Sequence, residues 1–248
     1  MDGCALEGDD FTVNDSSRWL LLSPMIIIAL AFWLVSQPTS VQGALIHVVT
    51  NKKIAALTFD DGPSPTYTPL ILRTLSRYHA HATFFVVGRE AQRFPYLVLD
   101  IAKQGSVVAN HGWSHLNLRN EGATALWADA DKTAQYITSL GISVVPFYRP
   151  PYGLVSHDLL KTFSEHGYRV VLWSIDTKDW TRPGVTSIIQ HVRAQIKPGA
   201  IILMHDGGGN RSQTLVALNT ILEQLTQMGY KIVTLPTLVK DSTSPPAL

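Results

Sequence analysis

From about residue 46 onward, short apolar or β-branched runs alternate with longer amphipathic segments. The runs at 54–59, 82–87, 106–109, 144–148, 169–174, 200–204 and 231–234 have the length and composition of buried strands. The segments at 67–78, 95–104, 123–140, 156–166, 185–196 and 213–228 carry helical spacing. Ser156 is placed to cap its helix, and Gly105, Gly141, Gly167 and Gly229 follow helices where a left-handed residue is expected. Seven strands separated by six helices indicate parallel βαβ units. Right-handed crossovers then give either a doubly wound sheet or a barrel. No repeat or heptad array competes with this organisation.

Ahead of these units the pattern changes. Residues 1–18 are polar and acidic, with Asp2, Glu7, Asp9, Asp10 and Asp15. Residues 19–35 are almost wholly apolar, broken only by Ser23 and Pro24. That length lies between a signal-peptide core and a transmembrane anchor. Val41-Gln42-Gly43 offers small residues for cleavage before Ala44, whereas Arg18 alone makes a poor basic n-region. The organisation expected is a targeting segment at 19–35, a linker at 36–50, one domain at 51–240 and a tail at 241–248. The domain is expected outside the cytoplasm, anchored in the membrane or secreted.

Polar clusters fall at one end of the strand runs. Asp60-Asp61 ends the first, His111 to His115 follows the third, and Arg149-Pro150-Pro151-Tyr152-Gly153 ends the fourth. The stretch from Asp176 to Trp180 ends the fifth and His205-Asp206 the sixth. In a parallel barrel all C-terminal strand ends open on one face, where such folds build their sites.

Composition narrows the classes. The chain has 248 residues, enough for one large domain, and a formal net charge of +1, so no basic field for nucleic acid exists. Its one cysteine, Cys4, rules out an intrachain disulfide and a cysteine-based zinc site. A monomer is expected.

The candidate chemistry lies in the clusters. Thr58-Phe59-Asp60-Asp61-Gly62-Pro63 places two carboxylates at a strand end, where neighbouring side chains diverge, so one can hold a metal while the other faces substrate or water. His111-Gly112-Trp113-Ser114-His115 spaces two imidazoles one helical turn apart, so that both can face one point. The pair alone specifies little. With Asp61 it makes a two-His, one-Asp set that leaves positions open for water and substrate, as in catalytic metal sites. The remaining histidines, His47, His79, His81, His157, His166 and His191, are read as surface or helix residues. Gly207-Gly208-Gly209 lacks the ending of a phosphate-binding loop and is read as letting the chain leave its strand close to the site.

Together these stretches resemble the five ordered motifs of the NodB-type polysaccharide deacetylases, carbohydrate esterase family 4. The motifs are Thr58 to Pro63, His111-x-x-x-His115, Arg149-Pro150-Pro151-Tyr152, Asp176-x-x-Asp179-Trp180 and Leu203-Met204-His205. Gly112 departs from the family pattern, which has Ser or Thr there, and this bears on local hydrogen bonding. The resemblance implies a distorted, incomplete (β/α) barrel of about seven parallel strands, and removal of N-acetyl groups from N-acetylglucosamine units of a polysaccharide such as peptidoglycan. It implies a divalent metal, zinc foremost with cobalt or another ion as alternatives, on Asp61, His111 and His115. It implies Asp60 as general base with Arg149 as its cationic partner, His205 as general acid with Asp176 as the carboxylate beside it, and a backbone N–H at Tyr152 facing the oxyanion. Tyr152, Trp180, Leu203 and Trp113 would line an acetyl pocket or sugar platform; the two tryptophans are equally well read as core. Two alternatives stand beside this: the same machinery acting on chitin oligomers or O-acetyl-xylan, and a non-catalytic glycan-binding surface protein. The second should have lost a ligand or the base, yet Asp60, Asp61, His111, His115 and His205 are all present.

Overall fold

A computed structural model describes Met1, residues 43–117 and residues 119–243. The expected targeting segment at 19–35 and Cys4 lie outside the described residues, as does the tail beyond 243. Among the described residues no helix is long and apolar enough to cross a membrane.

The centre of the fold is β1 (Ile54–Asp60), buried at all seven positions. A strand so enclosed must be covered on both faces, as parallel strands are. Beside it on one flank lie β2 (Thr83–Val86), β3 (Val107–Asn110), β4 (Val144–Tyr148) and β5 (Arg169–Val170). On the other lie β7 (Ile201–His205) and β6 (Ile175–Asp176), while β8 (Lys231–Ile232) pairs with the start of β1. Every ladder is parallel, and the seven strands of the main path curl into a half-barrel.

The period-two alternation of β1 sorts its side chains. Ala55, Leu57 and Phe59 pack outward in the main core, with Phe84, Ile202 and Met204 of the neighbouring strands. Ile54 and Ala56 point inward, into a core with Phe85, Ala109, Phe147, Val171 and Ile201. The inward stripe of β1 continues through Thr58 to Asp60. The same parity carries β3 from Ala109 to His111, β4 from Phe147 to Arg149, and β7 from Ile201 through Leu203 to His205. The inward side chains at the C-terminal ends are therefore those of the polar clusters.

Helices cover the outside: α1 (Thr68–Arg77), α2 (Gly88–Arg93), α3 (Pro95–Lys103), α4 (Ala123–Ser139), α5 (His157–Glu165), α6 (Val185–Gln195), α7 (Ser212–Gln227) and α8 (Leu235–Lys240). The Ser156 hydroxyl accepts from the Leu159 N–H at 3.1 Å, capping α5. Gly105, Gly141, Gly167 and Gly229 all take positive φ.

Three expectations differ from the structure. The run at 169–174 is not one strand, because it crosses the seam of the half-barrel: β5 pairs with β4, and β6 pairs with β7 four residues later. Residues 44–50, placed in the linker by composition, lie against the sheet. Leu45 is buried and exchanges hydrogen bonds with Val170 and Leu172 across the seam. Finally, α2 and α8 were not anticipated, since six residues each give too little periodicity.

Phe84 is fully buried and stacks on Phe59 with centroids 5.1 Å apart. Phe84→Ala should lower the unfolding free energy by about 3–5 kcal/mol, whereas Ser156→Ala should lower it by about 1 kcal/mol. Urea titration of both variants checks the order; comparable effects would refute the placement of the core.

Candidate metal centre and flanking acid–base groups

The register of the sheet sets the first geometry. Asp60 is level with His205 across the β1–β7 ladder. In a parallel pair, level residues project to the same face, so a carboxylate and an imidazole stand side by side at the barrel mouth. One residue later the backbone of Asp61 turns to φ 71, a left-handed conformation that aspartate tolerates better than most. The turn sends its carboxylate away from that of Asp60.

Asp61, His111 and His115 each offer a ligand atom, all within 4.8 Å of one another. Asp61 Oδ1 lies 3.4 Å from His111 Nε2 and 3.2 Å from His115 Nε2. It is buried and makes no hydrogen bond to any described residue. Donors at about 2.0–2.1 Å from a tetrahedral ion stand roughly 3.3 Å apart, so these separations suit one shared cation better than they suit hydrogen bonding. Two imidazoles and a carboxylate, without thiolate, fit zinc and similar divalent ions. Nδ1 of His111 donates to the Arg149 carbonyl at 2.7 Å, which leaves the Nε2 lone pair facing Asp61. Burial alone would push the His111 imidazole down, but the carboxylates of Asp60 and Asp61 outweigh it and raise it. Burial would raise Asp61, yet His111 and His115 hold it well below the usual carboxylate range.

The two imidazoles do not converge by a helical turn, as their spacing suggested. They sit on a loop. Gly112 and His115 take positive φ, and Asp129 of α4 accepts the N–H groups of Trp113 and Ser114 at 2.6 and 3.0 Å. With φ 78 at Gly112 and a Cβ there 2.7 Å from Asp129 Oδ2, a hydroxyl residue such as the resembled family carries would strain the backbone and push Asp129 aside.

Arg149 is fully buried and holds Asp60. Nη1 donates to Asp60 Oδ1 at 2.7 Å and to Thr58 Oγ1 at 2.8 Å. Its other nitrogens donate to the carbonyls of Val171 and Leu172 at 3.3 and 2.9 Å. Asp60 Oδ2, on the opposite side of the carboxylate, is 3.9 Å from His111 Nε2.

On the other side of the site, the partner of His205 is Asp179, not Asp176. His205 Nδ1 lies 2.7 Å from Asp179 Oδ1, and the His205 N–H donates to Asp179 Oδ2 at 2.9 Å. Asp176 is level with Leu203, two residues short of His205 on β7 and so about 6.6 Å below it. Its Oδ1 instead accepts the Lys178 N–H at 2.8 Å, shaping the turn that brings Asp179 back over β7. Burial would lower the His205 imidazole, but Asp179 outweighs it and the group is raised. Asp179 is correspondingly lowered, with Thr214 Oγ1 donating to it at 2.8 Å.

A cavity of 510 Å³ joins these groups. Tyr152, Trp180, Leu203 and Asp176 line it, together with Trp173 and Arg211, which the sequence reading did not select. Trp173 follows the parity of Val171 and could have been found that way. Arg211 could not: its guanidinium ties the carbonyls of Gly207 and Gly208 to that of Trp180 only after folding. Trp113 does not belong to this cavity. Its ring packs edge-on against Tyr136 and lies beneath Lys132, both on α4. The 207–209 turn passes so close that a Cβ on Gly208 would lie 2.5 Å from Asp61 Oδ2.

A sequence profile described as polysaccharide deacetylase matches residues 47–171. The chain is 44% identical over 196 residues to a peptidoglycan-N-acetylglucosamine deacetylase of Bacillus cereus, spanning 78% of this chain and 92% of that one. It is 37% identical over 191 residues to a chitooligosaccharide deacetylase of Sinorhizobium fredii, spanning 73% and 89%. A crystal structure of a peptidoglycan N-acetylglucosamine deacetylase, in complex with a naphthyl-substituted N-hydroxybenzamide, superposes with a TM-score of 0.77 at 35% identity, over 82% of this chain and 95% of that one.

In metal-free protein, Asp179→Asn should lower the His205 pKa, read from its imidazole proton shifts by NMR, while Asp176→Asn should leave it unmoved. Because the folded value is raised, the pairing stabilises the fold fully below the unfolded value of about 6.5 and fades as pH rises through the folded one. The stability lost in Asp179→Asn should thus be larger at pH 6 than at pH 9. Equal pKa changes in the two variants would restore Asp176 as the partner.

Proposed function

Because the chain belongs to the polysaccharide deacetylase family, we propose that it is a metal-dependent N-deacetylase acting on N-acetylglucosamine residues of peptidoglycan outside the cytoplasm. The observation that carries this reading is the placement of one candidate metal set, Asp61, His111 and His115, between an arginine-held carboxylate and an aspartate-held imidazole. The identity to the Bacillus cereus enzyme supports peptidoglycan over chitin oligomers as substrate. The apolar segment at 19–35 supports export, with the membrane as partner if the segment is retained.

A divalent ion on the three ligands would supply Lewis acidity toward the acetamide carbonyl and acidify a water. The chain's own groups do the rest. Asp60 accepts the water proton at Oδ2, since Oδ1 is engaged by Arg149. The water oxygen bonds to the carbonyl carbon, and the N–H of Tyr152 faces the oxyanion that develops. His205, its Nδ1 engaged by Asp179, donates from Nε2 to the amide nitrogen as the C–N bond breaks. Acetate and a free sugar amine leave. Leu203, Trp173 and Tyr152 surround the space available to the acetyl methyl, and Trp180, with half its surface exposed, offers a face to a sugar ring.

Acetate release from cell wall and from N-acetylglucosamine oligomers tests the reading. Chelation should abolish it and added zinc or cobalt restore it; chelator-insensitive release would refute metal dependence. Asp60→Asn should retain metal, measured by elemental analysis, while lowering kcat by about 10²–10⁴-fold. Turnover equal to the parent would remove Asp60 from the base role.

A further inference from the structure

A second cavity of 520 Å³ opens beside the candidate centre. Asp61 and His115 line both, so the two form one cleft with the metal set at its waist. The far arm of the second cavity is lined by Arg89, Glu90 and Arg93 of α2. Among the described residues Glu90 is the only carboxylate between the two guanidiniums, 3.7 Å from Arg89 Nε and 3.1 Å from Arg93 Nη1. One positive charge is left over. Both arginine side chains are more than half exposed, so solvent-borne ligands reach them past Glu90.

This arm is not a floating surface helix. The Gly88 N–H donates to the Gly112 carbonyl at 2.9 Å, and the Arg89 N–H to the Trp113 carbonyl at 3.2 Å. A Cβ on Gly88 would stand 2.4 Å from the Trp113 ring and 2.5 Å from Thr133 Oγ1. The start of α2 is thus stitched to the loop that carries His111 and His115. Trp113, which does not face the acetyl cavity, is the buttress. The backbone that carries the two arginines is therefore fixed relative to the loop that carries the metal ligands.

We infer that Arg89 and Arg93 form an anion subsite that binds a carboxylate carried by the sugar next to the one being deacetylated. The inference rests on the N-deacetylase reading and adds what selects the substrate. A guanidinium presents paired donors that match a carboxylate. In peptidoglycan the neighbouring sugar carries a lactyl ether whose carboxylate is free or extended by an acidic peptide. A neutral N-acetylglucosamine oligomer has nothing to place there. The subsite therefore favours anionic glycan, and the test separates the two carboxylate sources.

The experiment measures kcat and KM for the parent and for Arg89→Gln/Arg93→Gln on three substrates: neutral N-acetylglucosamine oligomers, peptide-free strands with lactyl carboxylates, and peptide-bearing strands. On neutral oligomers the variant should match the parent within about twofold. On anionic strands KM should rise about tenfold with kcat little changed, and the parent's sensitivity to salt should be lost. A rise on peptide-free strands alone assigns the free lactyl carboxylate, a rise on peptide-bearing strands alone assigns the peptide's carboxylates, and a rise on both means that the subsite accepts either. Equal losses on neutral and anionic substrates, or no loss on either, overturn the inference. Calorimetric binding of peptide-free and peptide-bearing strands to both proteins reads the subsite without turnover. Tighter binding by the parent to either strand sustains it even if no acetate is released, and equal binding to both refutes it. Arg93→Gln alone, at an exposed position, repeats the comparison should the double variant prove unstable.

Discussion

The buried guanidinium of Arg149 is the interaction on which the site depends. It lies where the half-barrel fails to close. Between β5 and β6 four residues leave the named strands: Val171 and Leu172 donate to the carbonyls of Tyr148 and Leu45, and their own carbonyls accept from Arg149. The same side chain meets Asp60 and Thr58 on β1, lies 4.1 Å over the Phe85 ring on β2, and its main-chain carbonyl orients His111 after β3. Burial lowers the guanidinium's affinity for its proton, and Asp60 opposes that shift. A buried pair of this kind stabilises little against an apolar substitute, but losing one partner leaves an uncompensated charge. Structure and chemistry are thereby coupled: the group that fills the seam also holds the proposed base.

Charge in the pocket points the same way. Asp60, Asp61 and Asp206 gather at the ends of two adjacent strands. Asp206 is buried, and burial together with the charges of Asp60 and Asp61 pushes its carboxyl up to about 7. Thr68 Oγ1 donates to one of its oxygens, while the other makes no bond to a described residue. Burial accounts for most of that shift, and a divalent cation held by Asp61 would offset only the neighbours' share. Asp60 and Asp61 also raise the His111 imidazole, whereas His205 is raised chiefly by Asp179.

Much of this was legible along the chain because strand parity is a local rule. The hydrophobic runs located the strands, the polar residues at their ends located the mouth, and alternation decides which of those residues look inward. What escaped needed information that strands alone do not carry. Asp176 and Asp179 are separated by a turn whose shape depends on Lys178 adopting φ 53, so register favoured Asp179 although Asp176 is nearer in sequence to its own strand. The imidazole pair was legible as a pair, but its loop is shaped by Asp129, a helix residue with no sequence mark of that role. Trp113 reads as an aromatic beside a ligand, and only packing shows that it braces α2. The expectations about residues 19–35 rest on composition alone.

The backbone carries the last constraint. Among the described residues, six other than glycine have positive φ, and five of them, Asp61, His115, Tyr152, Lys178 and Arg182, lie in the loops that follow strands of the open face. Such conformations cost about 1–3 kcal/mol each and persist only where surroundings over-determine them. The surroundings are identifiable. Asp129 fixes the backbone before His115, and Asp176 fixes Lys178. Gly153, packed so that a Cβ would lie 2.6 Å from Trp173, fixes the turn at Tyr152. Asp176 therefore has a definite part in the structure, different from the one its spacing suggested: it shapes the turn that delivers Asp179 to His205. Donors brought together from separate strands can be set within a few ångströms of one another only if the loops between them are this tightly determined, and the strain concentrated there is the physical counterpart of that requirement.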